Sequence, residues 1–375
     1  MNALTALHLP RTLCAAGAIA ALPGELQALG MRRPLLMTDR GLVAAGVAAR
    51  VAEACGVASV LFDAVTENPL FADVDAAAAL YARADCDGVV AVGGGSVIDT
   101  AKLVALLATN AGSVADYAGV PNAVHGPGAP LVAIPTTAGT GSEASPSAGL
   151  HPDATTASVG MNSRHLVPRL AVLDPDLTAS LPPRLAAATG IDALSHCIEG
   201  YLSEREQPLG KAIALDGITR IARHLRRAVA DRADVAARQE MMLAAYAGGV
   251  AIGMGLGPAH AIALSCSDQG FHHGVLSGIG LVATLDATAQ RVPERMATVS
   301  TAFGLSVGTS LAQAVAALMR ELGLPATLGE LGYEARDVQA LAAAAQRSHF
   351  NLSAPHRPDA AQYASFFARS LQGEA

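Results

Sequence analysis

The feature that most constrains this chain is a change of pattern near residue 180. Before it, short apolar runs alternate with helical stretches. "PLLMTD" (34–39) leads into "GLVAAGVAARVAEACG", read as one helix, and "SVLFDAV" (59–65) into "ADVDAAAALYARAD". "GVVAVGG" (88–94) leads into "SVIDTAKLVALLATN", and "PLVAIPTT" (130–137) follows. Strand, helix, strand at this spacing predicts a parallel sheet covered by helices. From Leu181 onward strand runs vanish; "PRLAAATGIDALSHCIEGYLS", "LGKAIALDGITRIARHLRRAVA", "ARQEMMLAAYAGGVAIGMG" and "SLAQAVAALMRELGL" carry helical periodicity. The chain is therefore predicted to be an α/β domain over 1–180 followed by an all-helical domain over 181–375. The proline-bearing "DPDLTASLPPR" (174–184) is the expected hinge. A length of 375 residues suits two cores better than one.

Composition excludes several partners. Half the residues are hydrophobic (51%), 15% are charged, and a net charge of -7 gives no reason to expect nucleic acid or an anionic membrane. The most membrane-like run, 247–265, is interrupted by five Gly and a Pro, and predicts buried helices broken near Gly257–Pro258. "MNALTALHLPRTL" lacks the basic and apolar regions of a secretory signal. Five scattered cysteines without a CxxC pair read as reduced thiols, and the setting as cytoplasmic.

Two loops carry a nucleotide signal. In "AVGGGSVIDTAK" (91–102), Gly93, Gly94, Gly95 and Ser96 lie between a strand and a helix. Glycine lets backbone approach a phosphate, and a helix N-terminus offers free N–H groups. Asp99, one turn into that helix, is suited to hold the loop or a ribose. "PTTAGTGSE" (135–143) also follows a strand, where a dinucleotide would cross the strand ends. Asp39 closes the first strand; it reads either as a ribose acceptor that would repel a 2′-phosphate, favouring NAD, or as a turn residue in "TDRG".

A metal signal lies in the helical half. Asp192 and His196 in "GIDALSHCIEGY" share one face of a helix. Burying an ionised carboxylate there is costly without a partner, and a cation is one partner. His260 in "GLGPAHAIA" and His272 and His273 in the loop "GFHHG" complete an oxygen-and-nitrogen donor set suited to a divalent first-row metal, Fe or Zn foremost.

These motifs, in this order along nearly the whole chain, resemble the iron-containing alcohol dehydrogenase family: "AVGGGSVIDTAK", "IPTTAGTGSEAS", "LAVLDPDLT", "GIDALSHCIEGY" and "GPAHAIA...HHG". The resemblance implies a Rossmann-like NAD-binding domain, a helical metal domain and an active site in a cleft between them. By motif, Asp192, His196, His260 and His273 are the implied metal ligands, with Fe2+ ahead of Zn2+. Asp39, Asn68, Gly94, Gly95, Ser96, Thr136, Thr137 and Thr140 are the implied NAD contacts, with Gly93 and Asp99 added. A homodimer or larger homo-oligomer is the implied assembly.

Three departures from the family pattern matter. Leu264 stands where many members carry a second His, four residues after His260. The interval to the "HHG" pair is one residue short, so His272 competes with His273 as ligand; His273 is preferred because Gly274 follows it. "TTASVGMNSRHLVPRLAVLDP" lacks the Lys that many members carry. Metal-assisted hydride transfer between NAD and a small alcohol or its carbonyl partner is the implied reaction, with the proton passing through water, a ribose hydroxyl or His272. Arg357, Arg164 and His165 are candidates for recognising an acidic group on the substrate. The rival readings are a maleylacetate-reductase-like C=C reductase and an inactive NAD-binding member of the family. Having only Lys102 and Lys211, the chain fits a dehydroquinate-synthase-like phosphate site poorly.

Overall fold

In the computed structural model, residues 6–374 are described apart from 121, 155 and 157. Residues 1–5, the start of the segment read above for a secretory signal, lie outside the described residues. The chain divides into two compact units: one of 8–137 with 141–181, the other of 138–140 and 182 onward together with residues 6–7.

Among the described residues the first unit holds eight strands: β1 Arg11–Cys14, β2 Leu35–Met37, β3 Val60–Phe62, β4 Val89–Gly93, β5 Leu131–Pro135, β6 Ser147–Leu150, β7 Val159–Asn162 and β8 Leu170–Leu173. Six form one sheet in the order β1-β8-β5-β4-β2-β3, every neighbouring pair parallel. Its helices are α1 Leu22–Ala28, α2 Arg40–Ala44, α3 Val47–Cys55, α4 Phe71–Arg83 and α5 Gly95–Leu107. Alternate residues of the strands feed two cores: Leu35, Met37, Val89, Ala91, Leu131 and Ala133 on one face, Leu36, Val90, Val92, Val132 and Ile134 on the other. Burial on both faces is what near-continuous apolar strands require. The expected helix over 41–56 is two helices, because Gly46 adopts φ +74, a left-handed turn that an α-helix cannot absorb. The edge strand β1 and the antiparallel pair β6–β7 went unpredicted; at four residues each, partly exposed, they present no apolar run.

The strand order places a switch point between β2 and β4. From β2 the chain runs to β3 on one side, then returns to β4 on the other. In open α/β sheets the crevice outside the carboxyl ends of such strands is where ligands bind. Asp39 follows β2, and Gly93 ends β4 with Gly94 and Gly95 opening α5, so these candidates flank that crevice.

The second unit is helical: α6 Pro183–Leu202, α7 Pro208–Ala230, α8 Val235–Ile252, α9 Pro258–Ser265, α10 His273–Ala289, α11 Pro293–Phe303, α12 Leu311–Glu321, α13 Leu328–Leu331, α14 Val338–Arg347 and α15 Ala360–Leu371. The apolar run at 247–265 is broken as expected: α8 stops at Ile252, and Gly257 caps α9, with Pro258 at its first position, where a missing N–H costs nothing. Helix α6 is buried almost throughout and packs between α7, α8 and α10. No helix among the described residues is long and apolar enough to cross a membrane. All five cysteines are free.

Candidate active site

In the α/β unit the glycine loop becomes the open start of α5. Gly93 ends β4, Gly94 is the N-cap with no side-chain cap, and Gly95 and Ser96 occupy the first turn. First-turn N–H groups left without a capping side chain make an anion site. The Ser96 hydroxyl donates to the Glu67 carbonyl, tying the loop to the turn that carries exposed Asn68. Thr136 donates its N–H to Gly93 O at 3.0 Å, and a Cβ on Gly94 would lie 3.4 Å from Thr137 Cγ2. Asn68, Ser96, Thr136 and Thr137 are thus gathered at the carboxyl ends of β4 and β5. Asp39 caps α2, Oδ1 accepting from Leu42 N at 2.9 Å. Thr140 falls in the segment 138–140 that groups with the helical unit.

Asp99 holds the loops together: Oδ1 accepts from the Ser142 hydroxyl and Oδ2 from Gly149 N at 2.9 Å. Beside it Lys102, fully buried, donates from Nζ to Ser145 O and Oγ, each at 3.1 Å, and to Ser147 O at 2.6 Å. Burial lowers the pKa of this ammonium, against the pull of Asp99 and Glu143. Glu143, also buried, leaves Oε1 without a hydrogen-bond partner; burial pushes its carboxyl up to about 7, against its own backbone N–H and Lys102. Sequence reading missed both Lys102 and Glu143 as parts of the site's frame. A lysine three residues after an aspartate on one helix was the available signal.

In the helical unit three donors converge. One ligand atom each from Asp192, His260 and His273 lies within 4.8 Å of the others. Asp192 comes from the middle of α6, His260 from the first turn of α9 and His273 from the first position of α10. His273 is therefore not in a loop, as expected above, but opens a helix; Nε2 stands 3.8 Å from Asp192 Oδ1, and its side chain is 51% exposed. Gly274 explains the placement, since a Cβ there would lie 2.3 Å from Ala188 O and 3.0 Å from Asp192 Cβ. Only a glycine lets α10 start this close to α6. His196 stands just outside this group of three. Nε2 is 3.9 Å from Asp192 Oδ1, and the ring stacks on that of His260 with centroids 4.8 Å apart.

His272 is the N-cap of α10, with Nδ1 accepting from Gly274 N at 3.1 Å. A neutral ring bonded this way carries its proton on Nε2, and protonating Nδ1 would break the cap. Two residues that sequence reading left out complete the surroundings. Ser277 donates to Asp192 Oδ1 at 2.9 Å, and Glu199 Oε2 lies 2.6 Å from His260 Nδ1. Ser277 is one turn after His273, and Glu199 is seven residues after Asp192, both recurring on the same helix face.

Electrostatics separates the carboxylate from its neighbours. Burial alone would raise the Asp192 pKa, but the rings of His196, His273 and His260 and the Ser277 hydroxyl outweigh it and hold the group at about 2. Burial brings His196 down to about 4, Asp192 opposing, so its ring is neutral near pH 7 with a lone pair to offer. Nε2 of His260 is buried and has no hydrogen-bond partner. An ionised carboxylate beside the neutral ring of His196, with a buried nitrogen of His260 unsatisfied, fits a divalent cation.

The C-terminal segment reaches this cluster through Phe350, whose ring meets His260 edge-on at 5.5 Å. Arg357, its side chain 55% exposed, donates to Glu204 Oε2 at 2.8 Å and Leu352 O at 3.0 Å. Arg164 is exposed, its Nε 3.4 Å from His165 Nε2.

Comparison with known proteins follows the same division of the chain. The model of iron-containing alcohol dehydrogenases matches residues 10–175, and that of the Fe-containing alcohol dehydrogenase family C-terminal region matches 186–371. The chain belongs to the iron-containing alcohol dehydrogenase family. It is 40% identical to a 4-hydroxybutyrate dehydrogenase of Cupriavidus necator, over 95% of this chain and 96% of the relative. It is 32% identical to an NAD-dependent methanol dehydrogenase of Bacillus methanolicus, over 89% and 91% of the two chains. A crystal structure of sulfoacetaldehyde reductase from Bifidobacterium kashiwanohense in complex with NAD+ superposes with TM-score 0.92 at 26% identity, covering 98% of this chain and 99% of that one. This iron-containing alcohol dehydrogenase family member is an oxidoreductase with an α/β nucleotide-binding fold and a helical C-terminal region.

Two outcomes follow from this geometry. Gly274→Ala in this family member forces α10 away from α6 and is expected to cost about 1–3 kcal/mol, read as a lowered urea midpoint. For Glu143, a folded pKa raised from 4.5 to about 7 means that the native state keeps a proton the unfolded chain loses. That contribution is full below pH 4.5 and is lost as pH rises through about 7. Urea titrations across this range should therefore show wild type losing stability relative to Glu143→Gln as pH rises.

Proposed function

We propose that the protein is an NAD- and metal-dependent oxidoreductase that interconverts a small alcohol and its aldehyde or ketone, on a substrate bearing an acidic group. The convergence of Asp192, His260 and His273, with a buried unpartnered nitrogen on His260, carries this reading. These three side chains, with His196 alongside, would hold the metal; iron is favoured by the family and zinc suits the same donors. A divalent cation bound there supplies Lewis acidity toward a carbonyl or alcohol oxygen, and NAD supplies or accepts the hydride.

The chain's own residues do the remaining work. Ser277 and the flanking imidazoles keep Asp192 ionised in a buried setting. His273, half exposed, is the member of the cluster that solvent and substrate reach. The cap that His272 makes keeps its proton on Nε2 and steadies the first turn on which His273 sits. His272 Nε2–H is thereby one route for the proton, with water or a ribose hydroxyl as the others. In the α/β unit the uncapped start of α5 receives the pyrophosphate, and Asp39 the adenosine ribose. Asn68, Thr136 and Thr137 stand around the same strand ends, and Thr140 is carried over with them as an NAD contact.

An acidic substrate agrees with the relatives, one a 4-hydroxybutyrate dehydrogenase and another a sulfoacetaldehyde reductase. With Arg357 bound to Glu204, Arg164 is the guanidinium we assign to the acidic group. Association of two or more copies and a cytoplasmic setting belong to the same reading, the latter supported by five free thiols.

The decisive experiment is metal analysis of the purified protein, followed by NADH oxidation with a panel of small aldehydes and oxo acids. Asp192→Asn should lose metal and turnover together; full turnover in verified metal-free protein would refute the reading. For the cofactor, Asp39→Ser keeps a capping oxygen on α2 but removes the charge. The ratio of NADPH to NADH use should rise in that variant, and an unchanged ratio would remove Asp39 from the ribose site.

A further inference from the structure

Glu199 is a buried carboxylate, 6% exposed, on the same face of α6 as Asp192 and His196. Leu202, Leu256, Leu281 and Leu285 line the space around it. A carboxylate in such surroundings persists only when its oxygens are satisfied. Oε1 accepts from Ala259 N at 2.8 Å; Oε2 accepts from His260 Nδ1 at 2.6 Å, with His260 N at 3.4 Å from the same oxygen. The two backbone donors belong to the first turn of α9, whose own N-cap, Gly257, has no side chain to meet them. A Cβ on Gly257 would lie 2.8 Å from Glu199 Oε1, so the glycine makes room for the carboxylate.

A neutral imidazole has one N–H and one lone pair, and the partner at one nitrogen decides the other. A carboxylate can only accept. It therefore holds the proton of His260 on Nδ1 and leaves Nε2, buried and unpartnered, as the lone pair. We propose that Glu199 is a positioning residue for the metal site, fixing His260 in the Nδ1–H tautomer and locking its ring to the start of α9 before an ion arrives. This rests on the metal reading given above. The amide of Gln in the same place breaks the logic while keeping the shape. With its oxygen on Ala259 N–H, its NH2 faces Nδ1 and favours the opposite tautomer, which places a proton on the nitrogen needed by the ion.

The test uses the full chain as wild type, Glu199→Gln and His260→Ala. Co2+ affinity is measured by chelator competition, and the His260 tautomer by 15N–1H correlation in metal-free protein, the ring being identified by its loss in His260→Ala. Wild type should show Nδ1–H. Glu199→Gln should shift His260 toward Nε2–H and weaken Co2+ binding by about 10- to 100-fold, with circular dichroism unchanged. A merely structural cap on α9 would not move the tautomer. Unchanged Co2+ affinity or an unchanged tautomer in folded Glu199→Gln overturns the proposal. Should Gln prevent folding, an Nε2–H ring in wild type overturns it alone, and Nδ1–H supports it. Wild type that binds no Co2+, or His260→Ala that binds it equally well, overturns the metal reading instead; the tautomer still judges the Glu199 contact.

Discussion

An ionised carboxylate in the middle of a buried helix is the constraint on which the helical unit is built. Asp192 lies on α6, which touches protein on nearly every side, and burial by itself opposes its charge. Three imidazoles and a hydroxyl from α6, α9 and α10 reverse that balance. Each helix that contributes must start or pass within a few ångströms of Asp192. The starts of α9 and α10 thus bring His260 and His273 to Asp192 while their apolar residues join the helical core. A missing side chain makes the approach possible: Gly274 lets α10 come against the backbone of Ala188 where a larger residue would hold it away.

The α/β unit buries charge for a different purpose. Asp99 and Lys102, one turn apart on α5, bond to the segment 142–149, and Glu143 is enclosed beside them. Two loops that contribute candidate nucleotide contacts are joined beneath their surface by ionic and hydrogen-bonded struts. Glycine-rich backbone is permissive and needs such support if its N–H groups are to stay aimed at a phosphate. The glycines provide access, and the buried polar side chains provide rigidity.

Much of this was legible along the chain. Short continuous apolar runs at 88–94 and 130–137 pointed to strands buried on both faces, and the helical periodicity beyond Leu181 pointed to the helical unit. Asp192 and His196 at helical spacing announced a polar face on an apolar helix. The errors were local and have local causes. Gly46 splits a helix through a positive φ that an Ala- and Val-rich run conceals, and short edge strands carry too few apolar residues to register. The pairing of Arg357 with Glu204, 153 residues away, is of a kind that no local pattern records.

The sequence by itself determined which residues have the chemistry: a carboxylate, several imidazoles, two glycine-bearing loops and apolar runs of the right period. Those properties reside in side-chain type and spacing along one element, which a linear chain records. Only the tertiary structure decided which imidazoles meet. It brought His273 to the first position of α10 beside Asp192, gave His272 the cap, and left His196 stacked just outside the group of three. It also joined Glu199 to His260 across 61 residues. Such choices depend on angstrom-scale distances between separate helices, set by how their surfaces pack.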